Sequence, residues 1–392
     1  MRNLYDIQKA TNFTTDLQLR VYTSNLLGKS DELVLHGGGN TSVKTVIDGE
    51  DILYVKGSGW DLISIKEEGF APVKLSTLLN MAKLEQLSDS DMVSGQKEAM
   101  IDSSAPNPSV EAILHAIIPY KFVDHTHSDA IVTLSNSFNG EQNIQQVFPN
   151  FLIVPYVMPG FILAQTIYKM IQNIDFESID GIILHNHGIF TFDNDAKKSY
   201  DKMIDAVTLA EQFLEKNASI EFTQKKNSKP FDTKEIVELL SKEKNTPLFF
   251  NLNQTPLAQH YASQDNLKEF TTRGVLTPEH IIRTKRVPLI VENNNILQTI
   301  TKYKESYIQY FKRFSSDEIC LNPSPNYAII KNIGIISFGK TQKEANIIND
   351  IAEHTMLAVL RADKIGGYKS ISLKDSFEME YWELEQAKLK RV

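Results

Sequence analysis

The chain has 392 residues, 42% hydrophobic and 23% charged, with a formal net charge of −8. That length supplies ample core for two domains or one large one, and the composition is that of an ordinary globular protein. The acidic balance, with no lysine/arginine block interleaved with aromatics, excludes nucleic acid as the expected main partner.

The N-terminal MRNLYDIQKATNF has no apolar signal region, and no window approaches eighteen apolar residues; the expectation is a cytoplasmic protein without a membrane partner. Leu35–Thr45 (LHGGGNTSVKT) joins three glycines to Asn40, Thr41 and Ser42, and Val55–Leu62 (VKGSGWDL) adds Ser58 and Gly59. Tight turns of this kind expose backbone N–H groups and hydroxyl donors that can bind phosphate; the plain alternative is two glycine-bearing hairpin turns. Between them Asp51–Val55 reads as a strand, and Leu75–Leu84 reads as an amphipathic helix. Asn107–Ile118 reads as a helix entered through Asn-Pro-Ser, with Pro108 in the first turn. Its Glu111 is either a helix-dipole carboxylate or a metal ligand and general base.

Phe122–Val132 (FVDHTHSDAIV) reads as a strand with His125 and His127 two residues apart, on one face. Gly181–Phe192 (GIILHNHGIFTF) repeats the design with His185 and His187. His187 is the better third ligand, because Gly188 allows close approach. Three imidazoles and a carboxylate suit zinc, or another divalent transition metal, with a position left open for substrate. His36, His115, His260, His280 and His354 lack such context and read as structural.

A helix is expected over Lys197–Lys216, then a polar stretch, Thr223–Lys234, that predicts a boundary between domains 1–222 and 223–392. Glu292–Asn295 is a second polar break. Cys320 is the single cysteine, so neither an intrachain disulfide nor a cysteine zinc site exists. Ile329–Phe338 (IIKNIGIISF) aligns without gaps on Ile183–Phe192, with Lys331 for His185 and Ile333 for His187. The second copy should resemble the first in structure yet be chemically silent, giving one metal per chain. GIISFGKT (Gly334–Thr341) matches the P-loop pattern by letter, but its apolar interior belongs in a strand. His36–Gly39 resembles an esterase turn without any G-x-S-x-G elbow, and no G-x-G-x-x-G is present.

The ordered set of glycine-Asn-Thr-Ser turn, Ser-Gly turn, P-S-x-E, H-x-H and N-H-G resembles the class II aldolase/adducin family. Glu353–Ile371 and Phe377–Leu389 look like the part that follows in bifunctional rhamnulose-1-phosphate aldolase/alcohol dehydrogenases. The resemblance implies an α/β, three-layer α/β/α fold around a mainly antiparallel sheet, with a C-terminal α/β region carrying the partial repeat. It also implies a homo-oligomer, usually a tetramer. His125, His127 and His187 match the zinc ligands, Glu111 the catalytic acid/base, and Tyr156 a proton donor across the interface. Asn40, Thr41, Ser42, Ser58, Gly59 and Ser109 match the phosphate and substrate pocket. The implied reaction is cleavage of a phosphorylated ketose, of the L-rhamnulose 1-phosphate type used in rhamnose metabolism. The products are dihydroxyacetone phosphate and an aldehyde such as L-lactaldehyde. A dehydrogenase domain or partner, not contained in this sequence, goes with the fusion-type resemblance. Ketopentose-phosphate 4-epimerase, sugar-phosphate dehydratase and an adducin-like binding module are the alternatives.

Overall fold

The computed structural model describes residues 1–222, 231–293 and 295–384. The chain forms two compact units, Met1–Ser135 with Gly140–Glu215, and Asn136–Asn139 with Lys216–Val392. Most of the polar stretch expected to mark the boundary lies outside the described residues, as do position 294 and the end of the Phe377–Leu389 segment.

The first unit opens with α1 (Ile7–Ala10), α2 (Asp16–Leu27), β1 (Asn40–Ile47), β2 (Glu50–Lys56), β3 (Phe70–Lys74) and α3 (Leu75–Ala82). It continues with α4 (Asp89–Glu98), α5 (Ala112–Ile117), β4 (Phe122–Thr126), α6 (Asp129–Ser135), α7 (Gly140–Val147) and β5 (Phe151–Val154). Then come α8 (Phe161–Ile171), β6 (Gly181–Leu184), β7 (Gly188–Asp193) and α9 (Ala196–Ala218). The seven strands form one sheet in the order β3-β2-β1-β4-β7-β6-β5. Every pair is antiparallel except β5 with β6, so the sheet is mixed and mainly antiparallel.

Strand alternation divides the packing. Leu53, Val55, Val123, Ile182, Leu184, Phe190 and Phe192 pack with residues of α3, α5 and α8. Val43 and Phe122 turn the other way, to Leu17 and Leu19 of α2 and Ala196 of α9. Helices therefore cover both faces, the three-layer arrangement of the α/β/α fold. Asp48 and Gly49, at φ 51° and 82°, make the two-residue turn between β1 and β2. That left-handed pair suits the twist of an antiparallel hairpin.

Four expected elements differ. The strand expected over Phe122–Val132 ends at Thr126, and helix α6 begins at Asp129. Asn40–Ser42 do not lie in a tight turn: they begin β1, because the β-branched run after Asn40 continues into a paired strand. His185–His187 do not lie within one strand; they form the turn of the β6–β7 hairpin, where Asn186 takes φ 60°. Asparagine tolerates that conformation, and the apolar residues on both sides disguise the turn as a continuous strand. The expected helix over Asn107–Ile118 starts only at Ala112, with Glu111 as its N-cap.

The second unit holds α10 (Lys234–Glu243), β8 (Phe249–Asn253), α11 (Pro256–Ala262), α12 (Leu267–Thr271), α13 (His280–Thr284) and β9 (Leu289–Val291). These are followed by α14 (Ile296–Phe314), β10 (Tyr327–Ile330), β11 (Gly334–Gly339), α15 (Gln342–Lys364) and α16 (Leu373–Glu380). Its sheet runs β8-β11-β10-β9, with β9 and β10 parallel. This is the arrangement β4-β7-β6-β5 of the first unit, so the repeat extends far beyond its ten-residue trace. Asn332 takes φ 61° in the β10–β11 turn, as Asn186 does in the β6–β7 turn. Thr191 Oγ1 donates to the carbonyl of Ser199 (3.0 Å), and Ser337 Oγ donates to that of Ala345 (2.7 Å), each strand tied to the helix after it. Both helices, α9 and α15, are 23 residues long.

Strand register identifies what stands in place of the three candidate histidines. His125 pairs with Phe190, and Leu252 pairs with Ile336, the counterpart of Phe190. The second copy thus carries Leu252, Gln254 and Ile333 where the first has His125, His127 and His187. Among the described residues one histidine cluster could hold a metal ion, and it lies in the first unit. GIISFGKT forms β11 followed by the N-cap of α15, where Thr341 Oγ1 accepts from Glu344 N; it is not a phosphate loop.

Candidate metal centre and active site

β4 ends at Thr126, so His127 stands just beyond it. The three rings still converge, with centroids 4.8, 5.2 and 4.9 Å apart for the pairs 125–127, 125–187 and 127–187. One ligating atom from each lies within 4.8 Å of the others. His185 does not join them, its Nδ1 instead facing Asn186 Oδ1 at 2.7 Å. His125 is fully buried and stacked on Phe190 at 4.1 Å. Its Nδ1–H donates to the Ile189 carbonyl (3.0 Å), which leaves the Nε2 lone pair facing inward, 3.0 Å from His127 Nε2.

Two glycines permit this approach. A Cβ on Gly39, which sits at φ 65°, would meet the His125 carbonyl at 2.7 Å; one on Gly188 would meet the Thr126 carbonyl at 2.4 Å.

Glu111 completes the set. Its Oε2 is 3.5 Å from His125 Nε2 and its Oε1 is 3.7 Å from His187 Nε2. Oε1 is buried and has no hydrogen-bond partner. Inward-facing imidazole nitrogens beside an incompletely satisfied carboxylate fit a borderline divalent cation. These three histidines would hold it, with Glu111 adjacent.

Behind Glu111 lies a buried hydrogen-bond chain. Asn40 Nδ2 donates to Glu111 Oε2 (2.5 Å) and to Ser109 Oγ (3.3 Å). Asn40 Oδ1 can only accept, so the proton in its short contact with His115 belongs to His115 Nε2. His115 Nδ1 then accepts from Ser42 Oγ at 2.8 Å. Read as structural from sequence, His115 thus fixes which way the Asn40 amide points. The available signal was its spacing of four from Glu111, one helical turn along. Lys44 Nζ plugs the other end of α5 by donating to the carbonyls of His115, Ile118 and Tyr120. Burial brings that ammonium down to about 7.

Burial, then the neighbouring His125, Lys44 and Arg20, pushes the His115 pKa well below its ordinary 6.5. The unfolded chain therefore takes up a proton below pH 6.5 that the folded chain refuses. Stability should fall with acidification from about pH 6.5, by roughly 1.4 kcal/mol per unit while only the unfolded state is protonated. Denaturation midpoints for the parent and His115→Gln, followed across that range, check this. An equally acid-sensitive variant would remove His115 as a cause.

The expected phosphate residues separate into two groups. Thr41 and Ser42 are fully buried and their hydroxyls serve Ser24 and His115, with Thr41 on the opposite face of the sheet from Ser42. Ser58 and Gly59 are exposed in the loop after β2. Ser58 N donates to Asn107 O and Ser109 N to Lys56 O, tying that loop to the one bearing Ser109 and Glu111. Lys56, which sequence reading passed over, ends β2 with only 6% exposure, its Nζ donating to Gly37 O at 3.2 Å. Burial lowers its pKa, against Asp61 and Glu111, which favour the charged form. Among the described residues it makes no ion pair. Its signal was a lysine between two glycine turns, on a strand otherwise turned to the core. Tyr156 lies in the loop after β5, on the edge strand three places along the sheet from β4.

Fold and site together define an α/β protein with a class II aldolase architecture, and comparison with known proteins agrees. Residues 18–214 match the class II aldolase and adducin N-terminal domain, and 232–389 match the family described as aldolase class II, second domain. The chain belongs to the class II aldolase/adducin family. It is similar to a Bacillus subtilis (strain 168) protein named uncharacterized oxidoreductase YuxG, 29% identical over 417 residues, covering 99% of this chain and 60% of that protein. The chain thus spans about 60% of that relative's length. The N-terminal class II aldolase domain of a conserved Thermoplasma acidophilum protein is 39% identical with a TM-score of 0.51, covering 55% of this chain and 99% of that one. An L-fuculose-1-phosphate aldolase of Thermus thermophilus aligns at 15% identity and TM-score 0.33, over 50% of this chain and 92% of its own. No helix among the described residues is long and apolar enough to cross a membrane.

Proposed function

We propose that this protein is a zinc-dependent aldolase that reversibly cleaves a phosphorylated ketose of the L-rhamnulose 1-phosphate type. The products are dihydroxyacetone phosphate and an aldehyde such as L-lactaldehyde. The observation that carries this reading is the convergence of His125, His127 and His187 beside the unsatisfied Oε1 of Glu111. A bound divalent ion supplies Lewis acidity against the negative charge that develops on the ketose oxygens.

The chain's own groups do the rest. Glu111 Oε1 takes the proton from the hydroxyl at the cleaved carbon; the carbon–carbon bond breaks and its electron pair passes to the ketone oxygen. The proton then returns to the carbon of the dihydroxyacetone phosphate half. Asn40 holds Oε2, so that Oε1 keeps its orientation. Tyr156, supplied across the interface of a homo-oligomer, is the proposed donor to the aldehyde oxygen in the synthetic direction. The phosphate lies against Lys56, Ser58, Gly59 and Ser109, because a buried cation beside the exposed Ser58–Gly59 turn and its hydroxyl suits a dianion.

Release of dihydroxyacetone phosphate from L-rhamnulose 1-phosphate, lost to a chelator and restored by zinc, is the direct test. No release from zinc-loaded protein would overturn the substrate and reaction, and product analysis of other sugar phosphates would then detect epimerisation or dehydration. Lys56→Met should lower kcat/KM for the phosphorylated ketose about 10- to 100-fold and spare unphosphorylated L-rhamnulose. Equal losses on both substrates would remove Lys56 from phosphate recognition.

A further inference from the structure

The second unit contains a cavity of about 130 Å³ walled by Arg286, Val287, Tyr303, Tyr307, Tyr310 and Leu373 among others. None of these residues belongs to the histidine site. We propose that this cavity binds a small organic monocarboxylate with a body about the size of one ring.

Charge balance supports an anion. Lys285 Nζ lies 3.6 Å from Glu380 Oε1 and 3.8 Å from the centroid of the Tyr307 ring, so the one buried carboxylate here is answered by that lysine. Arg286 has no carboxylate within ion-pair distance among the described residues. Its Nε, Nη1 and Nη2 donate at 3.3 Å to Ser376 Oγ, Thr272 O and Arg273 O. A guanidinium has five N–H groups, so two remain.

The phenols sort in the same way. Tyr303 Oη donates to Val287 O (2.9 Å), and Tyr307 Oη donates to Glu380 (2.7 Å). Tyr310 Oη is buried without a hydrogen-bond partner. The two remaining guanidinium N–H groups match a carboxylate's two oxygens in number. Apart from Ser306, whose hydroxyl donates to Lys302 O, the remaining wall is aromatic and aliphatic, which favours an organic body over a bare inorganic anion. A dry apolar cavity of about 150 Å³ accommodates benzene, which sets the size. Lys285, immediately before Arg286, is held at φ 61°, a strained conformation for lysine that fixes the approach of Arg286.

The inference does not depend on aldolase chemistry. Calorimetric titration of the full chain with benzoate, phenylacetate, benzamide and inorganic phosphate tests it. At least one of the carboxylates should bind with a Kd of about 1 mM or tighter, and benzamide and phosphate should bind more weakly than it. Arg286→Met should weaken that binding about tenfold or more. Leu373→Trp should block the cavity from a position 39% exposed, where folding tolerates the change. If Arg286→Met fails to fold, Leu373→Trp decides. The proposal fails if none of the carboxylates binds, if benzamide or phosphate binds as well, or if binding survives Leu373→Trp. The last result would place the ligand elsewhere, such as at the histidine site.

Discussion

Glu111→Gln should lose about 10²- to 10⁴-fold in kcat while the protein keeps its metal. Glutamine preserves the shape and can still accept from Asn40 Nδ2 through its amide oxygen. It then turns an NH₂ group toward His187, where the carboxylate offered a basic lone pair. Proton transfer is lost, but the three imidazoles that would hold the ion are untouched. Single-turnover rates and metal content, measured on the same preparation, separate the two effects. Near-parental cleavage by a metal-loaded variant would show that Glu111 carries no proton. Loss of metal together with activity would make it chiefly a ligand.

Arg20→Met should cost about 3–5 kcal/mol of stability, since it strands a buried carboxylate. Arg20 and Asp124 are both fully buried. The guanidinium reaches Asp124, Ser24, Thr23 and the carbonyls of Ser42 and Val123, and Asp124 otherwise accepts from Ser199 Oγ of α9. Asp124 points to the α2 and α9 face of the sheet, and its neighbour His125 points to the other. The pair therefore clamps β4 from behind the metal centre. Replacing both charges, as in Arg20→Met with Asp124→Leu, should recover most of the loss, since the uncompensated charge causes it. Urea denaturation of the two variants checks this. A loss below about 1 kcal/mol in the single variant would mean that water reaches Asp124 after all.

The histidine cluster that could hold a metal ion was legible from sequence because the pattern H-x-H is local and His187 is marked by Gly188. Glu111 was legible as a candidate, though spacing left it balanced between helix dipole and chemistry. His115 and Lys56 were not legible. Each looks like a core or strand residue until its partner, Asn40 for His115 and Gly37 for Lys56, is brought to it from another segment. The repeat was visible as ten residues and proved to span four strands with their helices. Sequence drifts wherever one apolar residue can replace another, but strand order is held by pairing across the whole sheet. Leu252 and Gln254 could not be recognised as counterparts of His125 and His127 without the β8–β11 register.

By itself the sequence determined the types of the candidate ligands, the apolar strands beside them and the lack of a ligating atom at Ile333. These depend on residue chemistry and on a period of two along one segment. The tertiary structure decided that His127 joins the cluster from beyond its strand, that His185 turns away, and that Thr41 faces the opposite layer from Ser42. It also set the proton on His115 Nε2 and the direction of the Glu111 carboxylate. Those outcomes rest on pairings between segments dozens of residues apart, and on hydrogen bonds whose direction is fixed only when both partners are in place.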